Sequence, residues 1–291
     1  MAEPAPAGIA AHRWLGVLRQ AGRRIGEEAA AMSVAERRRP LGRGAGGDTT
    51  LAIDQLAEDI VLAELEALRA EGAVFAVLSE ECGAIGPVGD ASTALVVVDP
   101  IDGSLNARRG LPAFSTSIAI ADGPRMGDVA IAYVRDHANG EEHTAVRGGG
   151  ARTNDRPLQP PPSGRLEIVA LEGASPSRLA AAAPALAEAY RVRVIGSIAL
   201  SLCTVGAGRC DAMAGLSPAR AVDIAAAQLF AREAGALVGM PAPEDLHAAP
   251  LDAVSRRPVV AAREPAALLV LNAALDRVLA AEAARREAAG A

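Results

Sequence analysis

VVVDPIDGSLNARRG, spanning Val96 to Gly110, sets two aspartates three positions apart at the end of an all-apolar run, with a proline, a glycine and a serine around them. Val96 to Val98 read as the end of a buried strand that delivers Asp99, because the run is short, apolar and β-branched. Pro100 has no N–H to donate and is expected to stop the ladder, while Gly103 permits a sharp turn. Two carboxylates this close in a partly buried place repel each other unless one is protonated or a cation neutralises both. Oxygen ligands without histidine or thiolate select magnesium, manganese or calcium, and magnesium is favoured where a phosphate completes the octahedron. Ser104 opens a predicted helical turn, where a hydroxyl and free backbone N–H groups can cap the helix or hold an anion.

An Asp-x-x-Asp-Gly turn often arises without function, so its weight depends on the acids elsewhere in the chain. AVFAVL, from Ala73 to Leu78, is a second predicted strand, and Glu80 and Glu81 follow it, so two strands end in acid. Asp54 in AIDQLAED and Asp223 in RAVDIAAAQLFAREAG each stand near a predicted helix start, with Gly235 closing the second helix. Each alone reads as a helix cap. Taken with the two strand-end motifs, they read as one set.

The bulk numbers exclude several classes. At 291 residues and 51% hydrophobic content the chain can bury a substantial core. A formal net charge of -6 supplies no overall field for nucleic acid or anionic lipid. All 29 basic residues are arginine in an alanine-crowded chain, which reads as codon bias and lowers the functional information any one arginine carries. Three cysteines without CxxC spacing suggest neither a disulfide framework nor a zinc ribbon, and the four histidines make no HxH, HxxxH or HExxH pattern. No stretch resembles a leader or a membrane span, so a cytoplasmic protein is expected.

Outward from the motif, Ile9 to Met32 predicts an amphipathic helix, ERRRPLGRGAGGD a loop, and Ile53 to about Ala70 a second helix. FSTSIAIAD and GDVAIAYVRD predict two strands, followed by a hairpin within GEEHTAVRGGGARTNDRPL. The proline cluster LQPPPSG punctuates the chain and divides it into an α+β lobe over 1–158 and an α/β lobe over 163–291. In the latter, LEIVAL, RVRVIG, DAMAGL, GALVGM and PVVAAR predict strands separated by helices, and a long helix closes the chain. His137 and His143 lie in polar, loop-like surroundings and are expected to be exposed, whereas Cys203 and Cys210 are expected in the core.

DTTLAIDQLAED, SEECG, DPIDGSLNARRG and ARAVDIAAAQLFAREAG, in that order from Asp48 to Gly235, resemble the inositol monophosphatase family of magnesium-dependent phosphatases. The resemblance implies a layered α-β-α-β-α sandwich with two mixed sheets, usually assembled as a homodimer. It implies two or three Mg2+ ions, with Mn2+ as a substitute, held by Glu80, Asp99, the Ile101 carbonyl, Asp102 and Asp223, with Asp54 in or beside that shell. Gly103 and Ser104 would contact the phosphate, and a water oriented by Glu80 and the Ser104 hydroxyl would attack it, with Asp102 in the catalytic set. Lithium inhibition follows by the same analogy.

VIGSIALSL resembles the family segment that lines the sugar or inositol ring, which makes Gly196 and Ser197 substrate candidates; as a helix cap Ser197 is equally well explained. The family's Trp-Asp is Val222-Asp223 here, and a ring-binding carboxylate is replaced near Leu216, so strict inositol selectivity is not expected. GRCDAMAGLSPARAVDIAAA is closer to the archaeal and bacterial branch that also hydrolyses fructose 1,6-bisphosphate. Arg220 could meet a second phosphate or the substrate rim, although the simpler reading is a solvated arginine. Two alternatives are weighed against this one. A relative that only binds a phosphorylated metabolite, or serves as a structural subunit, is disfavoured because no acid of the set is missing. An aspartyl-phosphate mechanism is disfavoured because it needs Asp-x-Asp.

Overall fold

The computed structural model describes residues 5–45, 47, 49–87, 93–160 and 164–290; Asp48 and residues 161–163 of the proline cluster lie outside this set. Helices α1 (Ala11–Ala31), α2 (Val34–Arg37) and α3 (Ala52–Ala70) come first, with strands β1 (Pro40–Arg43) and β2 (Thr49–Leu51) between the last two. Strands β3 (Phe75–Ser79), β4 (Gly83–Ile85) and β5 (Ala94–Asp102) lead through helix α4 (Ser104–Arg109) to β6 (Ser115–Ala121), β7 (Val129–Asp136), β8 (Glu142–Val146), β9 (Gly150–Thr153) and β10 (Arg156–Pro157). The remainder runs β11 (Ile168–Glu172), α5 (Pro176–Ala182), β12 (Arg191–Arg193), α6 (Ile198–Gly206), β13 (Ala212–Gly215), β14 (Ala219–Arg220) and α7 (Ala221–Glu233). Strands β15 (Leu237–Gly239), β16 (Arg256–Arg257) and β17 (Val260–Ala262) precede the closing helix α8 (Pro265–Gly290).

Side-chain alternation along the strands fixes the layers. On β5, Val96 and Val98 join a core with Phe75, Ile118, Ile131, Trp14 and Leu18, which belongs to α1, α3 and one face of an eight-stranded sheet. Leu95 and Val97 face the other way, into a core with Leu202, Phe230 and Leu229 of α6 and α7 and with Met213 of the second sheet. Val169, Leu171 and Val260 on the far face of that second sheet pack on Leu271 and Leu275 of α8. The order is therefore helix, sheet, helix, sheet, helix, as the resemblance implied. Because β5 is covered on both faces it is buried along its whole length.

The first sheet has the order β10-β9-β8-β7-β6-β5-β3-β4 and the second β12-β11-β13-β17-β15. In the first, β3 and β5 are parallel and the other pairs antiparallel, so the two acid-bearing strands end at the same edge. In the second, β11 runs parallel to β12 and β13, while β17 opposes β13 and β15. Both sheets are mixed.

Three expectations are corrected. Pro100 does not end its strand: the ladder to β6 skips from Asp99 to Asp102 through a bulge and resumes, with Asp102 opposite Ser115. The predicted loop after α1 carries the turn α2, capped by Ser33, and the β1–β2 hairpin, because capping and ladder pairing satisfy backbone that a bare loop would leave to water. His143 is buried rather than exposed, since its place on β8 turns it inward, against the Phe230 ring and within 3.0 Å of Thr153 Oγ1. His137 is half-buried and stacks on Phe114. Cys203 and Cys210 are buried, as expected.

Helix α1 approaches β7 closely at Gly22, where a Cβ would come within 2.9 Å of ring carbons of Tyr133. Gly22→Ala should therefore cost about 1–3 kcal/mol through overpacking. Gly16, on the same helix with nothing within 4 Å of its Cβ position, should gain up to about 1 kcal/mol on substitution by alanine. Urea unfolding of the two variants checks the opposite signs.

Candidate active site

Glu80 leaves β3 at the point where its N–H donates to the Val98 carbonyl, 3.2 Å away, so the first acid is tied to the strand that carries the others. Asp99 and Asp102 flank the bulge, which frees the carbonyls of Pro100 and Ile101 from the ladder. Thr116 Oγ1 donates to the Pro100 carbonyl at 2.8 Å and Ser104 Oγ to the Ile101 carbonyl at 2.8 Å. Gly103 then turns the chain at φ 89°, and a Cβ there would meet the Gly196 and Ala113 carbonyls at 2.9 and 3.0 Å. Only glycine fits both that conformation and that space.

Asp223 arrives in the first turn of α7 and Asp54 in the first turn of α3, each accepting from the backbone N–H three residues earlier, of Arg220 at 2.7 Å and Leu51 at 3.0 Å. The capping explanation of both is correct, and it does not exclude a second duty, since each carboxylate has a further oxygen. Asp54 Oδ1 and Asp99 Oδ1 are buried and take no hydrogen bond.

Oxygens of Glu80, Asp99 and Asp223 lie within 4.8 Å of one another, the one such group of metal-ligating side chains among the described residues. They line a cavity of about 420 Å³ together with Asp54, Ile101, Asp102, Gly103, Ser104 and Arg220. A second cavity of about 220 Å³ shares Asp102 and Asp223 and is lined by Gly196, Ile198 and Ser217. Burial pushes the Asp54 carboxyl up to about 6 and those of Glu80 and Asp102 up to about 7. Asp99 is raised well above the carboxylate range by burial and then by Glu80 and Asp102 beside it. An all-oxygen donor set with unsatisfied buried lone pairs fits a hard divalent cation.

A model of the inositol monophosphatase family matches residues 13–280. The chain belongs to the inositol monophosphatase family. It is thereby a phosphatase, in a family for which metal dependence is typical. It is 38% identical over 204 residues to the inositol-1-monophosphatase of Mesorhizobium japonicum, an alignment covering 66% of this chain and 72% of that one. It is 34% identical over 206 residues to the fructose-1,6-bisphosphatase/inositol-1-monophosphatase of Methanothermobacter thermautotrophicus, covering 67% and 72%. A crystal structure titled as an inositol monophosphatase-fructose 1,6 bisphosphatase superposes with a TM-score of 0.78 at 26% identity, over 90% of this chain and 99% of the other.

Of the residues expected in this family site, Glu80, Asp99, Ile101, Asp102, Gly103, Ser104, Asp223 and Asp54 all line the one cavity. Gly196 lines the adjoining one. Ser197 is buried and caps α6, accepting from the Leu200 N–H while its hydroxyl donates to Asp102. Arg220 is not a solvated arginine: it is 8% exposed and pairs with Glu80 and Asp223 inside the acid group. Opposite charges only a helix turn and a strand end away drew it inward, which composition could not reveal.

Sequence reasoning missed Glu172, which ends β11 as Glu80 follows β3. Its carboxylate accepts from the N–H groups of Ile195 and Gly196 and from Ser201 Oγ, fixing the loop beneath the second cavity. An acid directly after an apolar strand was the available signal. Asn106 holds the same loop by donating to the Ile195 carbonyl at 2.9 Å.

Acids whose folded pKa is raised bind protons that the unfolded chain has released, so they favour folding below about pH 4 and lose that contribution as pH rises toward 7. In EDTA the protein should therefore be less stable at pH 7.5 than at pH 5, and saturating Mg2+ should reduce the difference. Chemical unfolding at the two pH values with and without the ion reads this directly.

Proposed function

We propose that the chain is a Mg2+-dependent phosphomonoesterase that hydrolyses inositol monophosphate or a related sugar phosphate with an activated water. Supporting this reading is one observation above the others: Glu80, Asp99 and Asp223, delivered by two strands of one sheet and a helix of the middle layer, bring carboxylate oxygens within 4.8 Å of one another. Glu80, Asp99, Asp223, Asp102 and the Ile101 carbonyl would hold two or three divalent ions, with Asp54 beside them. When bound, the ions supply Lewis acidity toward the phosphoryl group and lower the pKa of water.

The chain's own residues do the rest. Ser104 spends its proton on the Ile101 carbonyl, so its oxygen is left to accept a hydrogen bond from the attacking water, and Glu80 accepts another. The backbone N–H groups around Gly103 and Ser104 would hold the phosphate in line. Ser197 and the Ala199 N–H, donating to Asp102 Oδ2, fix that carboxylate and leave its other oxygen for the reaction. Gly196 lines the cavity where the alcohol portion of the ester would lie. No carboxylate projects from Leu216 to grip ring hydroxyls, which favours a broad substrate range including fructose 1,6-bisphosphate. We further propose a homodimer and inhibition by lithium, both by family likeness, and a cytoplasmic location, which the unpaired cysteine pattern supports.

The test is phosphate release from a panel of inositol 1-phosphate, fructose 1,6-bisphosphate, histidinol phosphate and nucleotide-derived esters, with and without Mg2+. Asp99→Asn, Asp102→Asn and Asp223→Asn should each lower turnover by more than about a hundredfold, beyond what loss of an outer-shell partner costs. Near-normal activity in any two would refute the ligand assignment, and no release from any ester would favour a binding relative. A trapped phosphoenzyme would point to aspartyl-phosphate chemistry instead.

A further inference from the structure

Arg220 occupies an unusual position for a cation in a site that must take up other cations. Its backbone N–H and Nε both donate to Asp223, at 2.7 and 3.2 Å, and its Nη2 donates to Glu80. Its side chain is 10% exposed, so little water screens the contact. Glu80 follows a strand of the first sheet and Asp223 lies on the middle helix layer, so one guanidinium joins the two carriers of the acid group. Two of the three carboxylates that converge within 4.8 Å are thus already engaged by a positive charge.

We propose that Arg220 is the resident counter-ion of this site: it holds Glu80 and Asp223 together in the absence of a divalent ion and is displaced when one binds. The inference rests on the reading of the acid group as a divalent-ion site. A guanidinium and a divalent ion compete for the same lone pairs, and two positive charges on the same pair of buried carboxylates repel. Metal affinity is then set by a competition with the chain's own arginine, and by linkage whatever weakens the arginine contact strengthens ion binding equally. Arg220 itself lines the larger cavity of about 420 Å³, which gives its side chain room to leave the two carboxylates without unfolding α7.

The sign of the effect separates this role from a structural one. An arginine that only props the site open would, once removed, weaken ion binding; a competitor, once removed, tightens it. Calorimetric titration of MgCl2 alone into metal-stripped wild type and Arg220→Met should give about tenfold tighter binding in the variant. Its melting temperature in EDTA should be lower than that of wild type, and its rise on adding Mg2+ larger. Should Arg220→Met not fold, Arg220→Gln, which keeps a donor without the charge, should tighten binding in the same direction. Equal or weaker binding in the variants would overturn the proposal and leave the metal reading intact. Absence of Mg2+ and Mn2+ binding in wild type and variants alike would overturn both.

Discussion

Carboxylates brought together out of water are the constraint on which the rest of this structure depends. Their mutual repulsion and lost hydration are unfavourable to the fold, and the neighbouring parts of the molecule answer that strain. Helix-start N–H groups take one oxygen of Asp54 and of Asp223, Ser197 and Ala199 take one of Asp102, and Arg220 sits between Glu80 and Asp223. What none of these satisfies is the remaining oxygens of Asp54 and Asp99, buried and without a donor. Such lone pairs are tolerated where a cation supplies the missing interaction, which ties the stability of the centre to its chemistry.

Precision at the centre comes from backbone that regular pairing cannot supply. Skipping the ladder between Asp99 and Asp102 turns the strand's own carbonyls outward, and each is then caught by a neighbouring hydroxyl, Thr116 for Pro100 and Ser104 for Ile101. Behind Thr116, His137 Nε2 lies 2.8 Å from its hydroxyl, and burial lowers the imidazole pKa to about 3, so the ring remains neutral. Gly103 closes the arrangement because carbonyls of two other segments stand where a side chain would be. A bulge, a left-handed turn and a few hydroxyls hold the acids at fixed separations, as a site for an ion of fixed size requires.

The middle helix layer links site to fold. Helix α7 packs in the core between the sheets and presents Asp223 in its first turn, while the N-terminus of α6 is held by Asp102 of the other sheet. Glu172 and Asn106 both hold the loop before α6, one accepting from the Ile195 and Gly196 N–H groups and the other donating to the Ile195 carbonyl. The second cavity is thus coupled to the acid group through Asp102, which lines both cavities.

The sequence by itself determined the longer strands and helices and the acids that line the larger cavity, because periodicity and motif spacing are local: the two acidic strand ends, the helix starts at Asp54 and Asp223 and the turn at Gly103 all stood where the residues indicated. It could not place the ladder beyond Pro100, because whether a proline ends a strand depends on whether the pairing with the neighbouring strand can bulge past it. Nor could it place Arg220 or His143, since burial of a polar group is decided by partners remote in the chain, Glu80 for one and Phe230 for the other. Convergence itself belongs to the tertiary structure: parallel β3 and β5 bring two acids to one sheet edge, and only the packing of α7 against that sheet brings Asp223 to meet them.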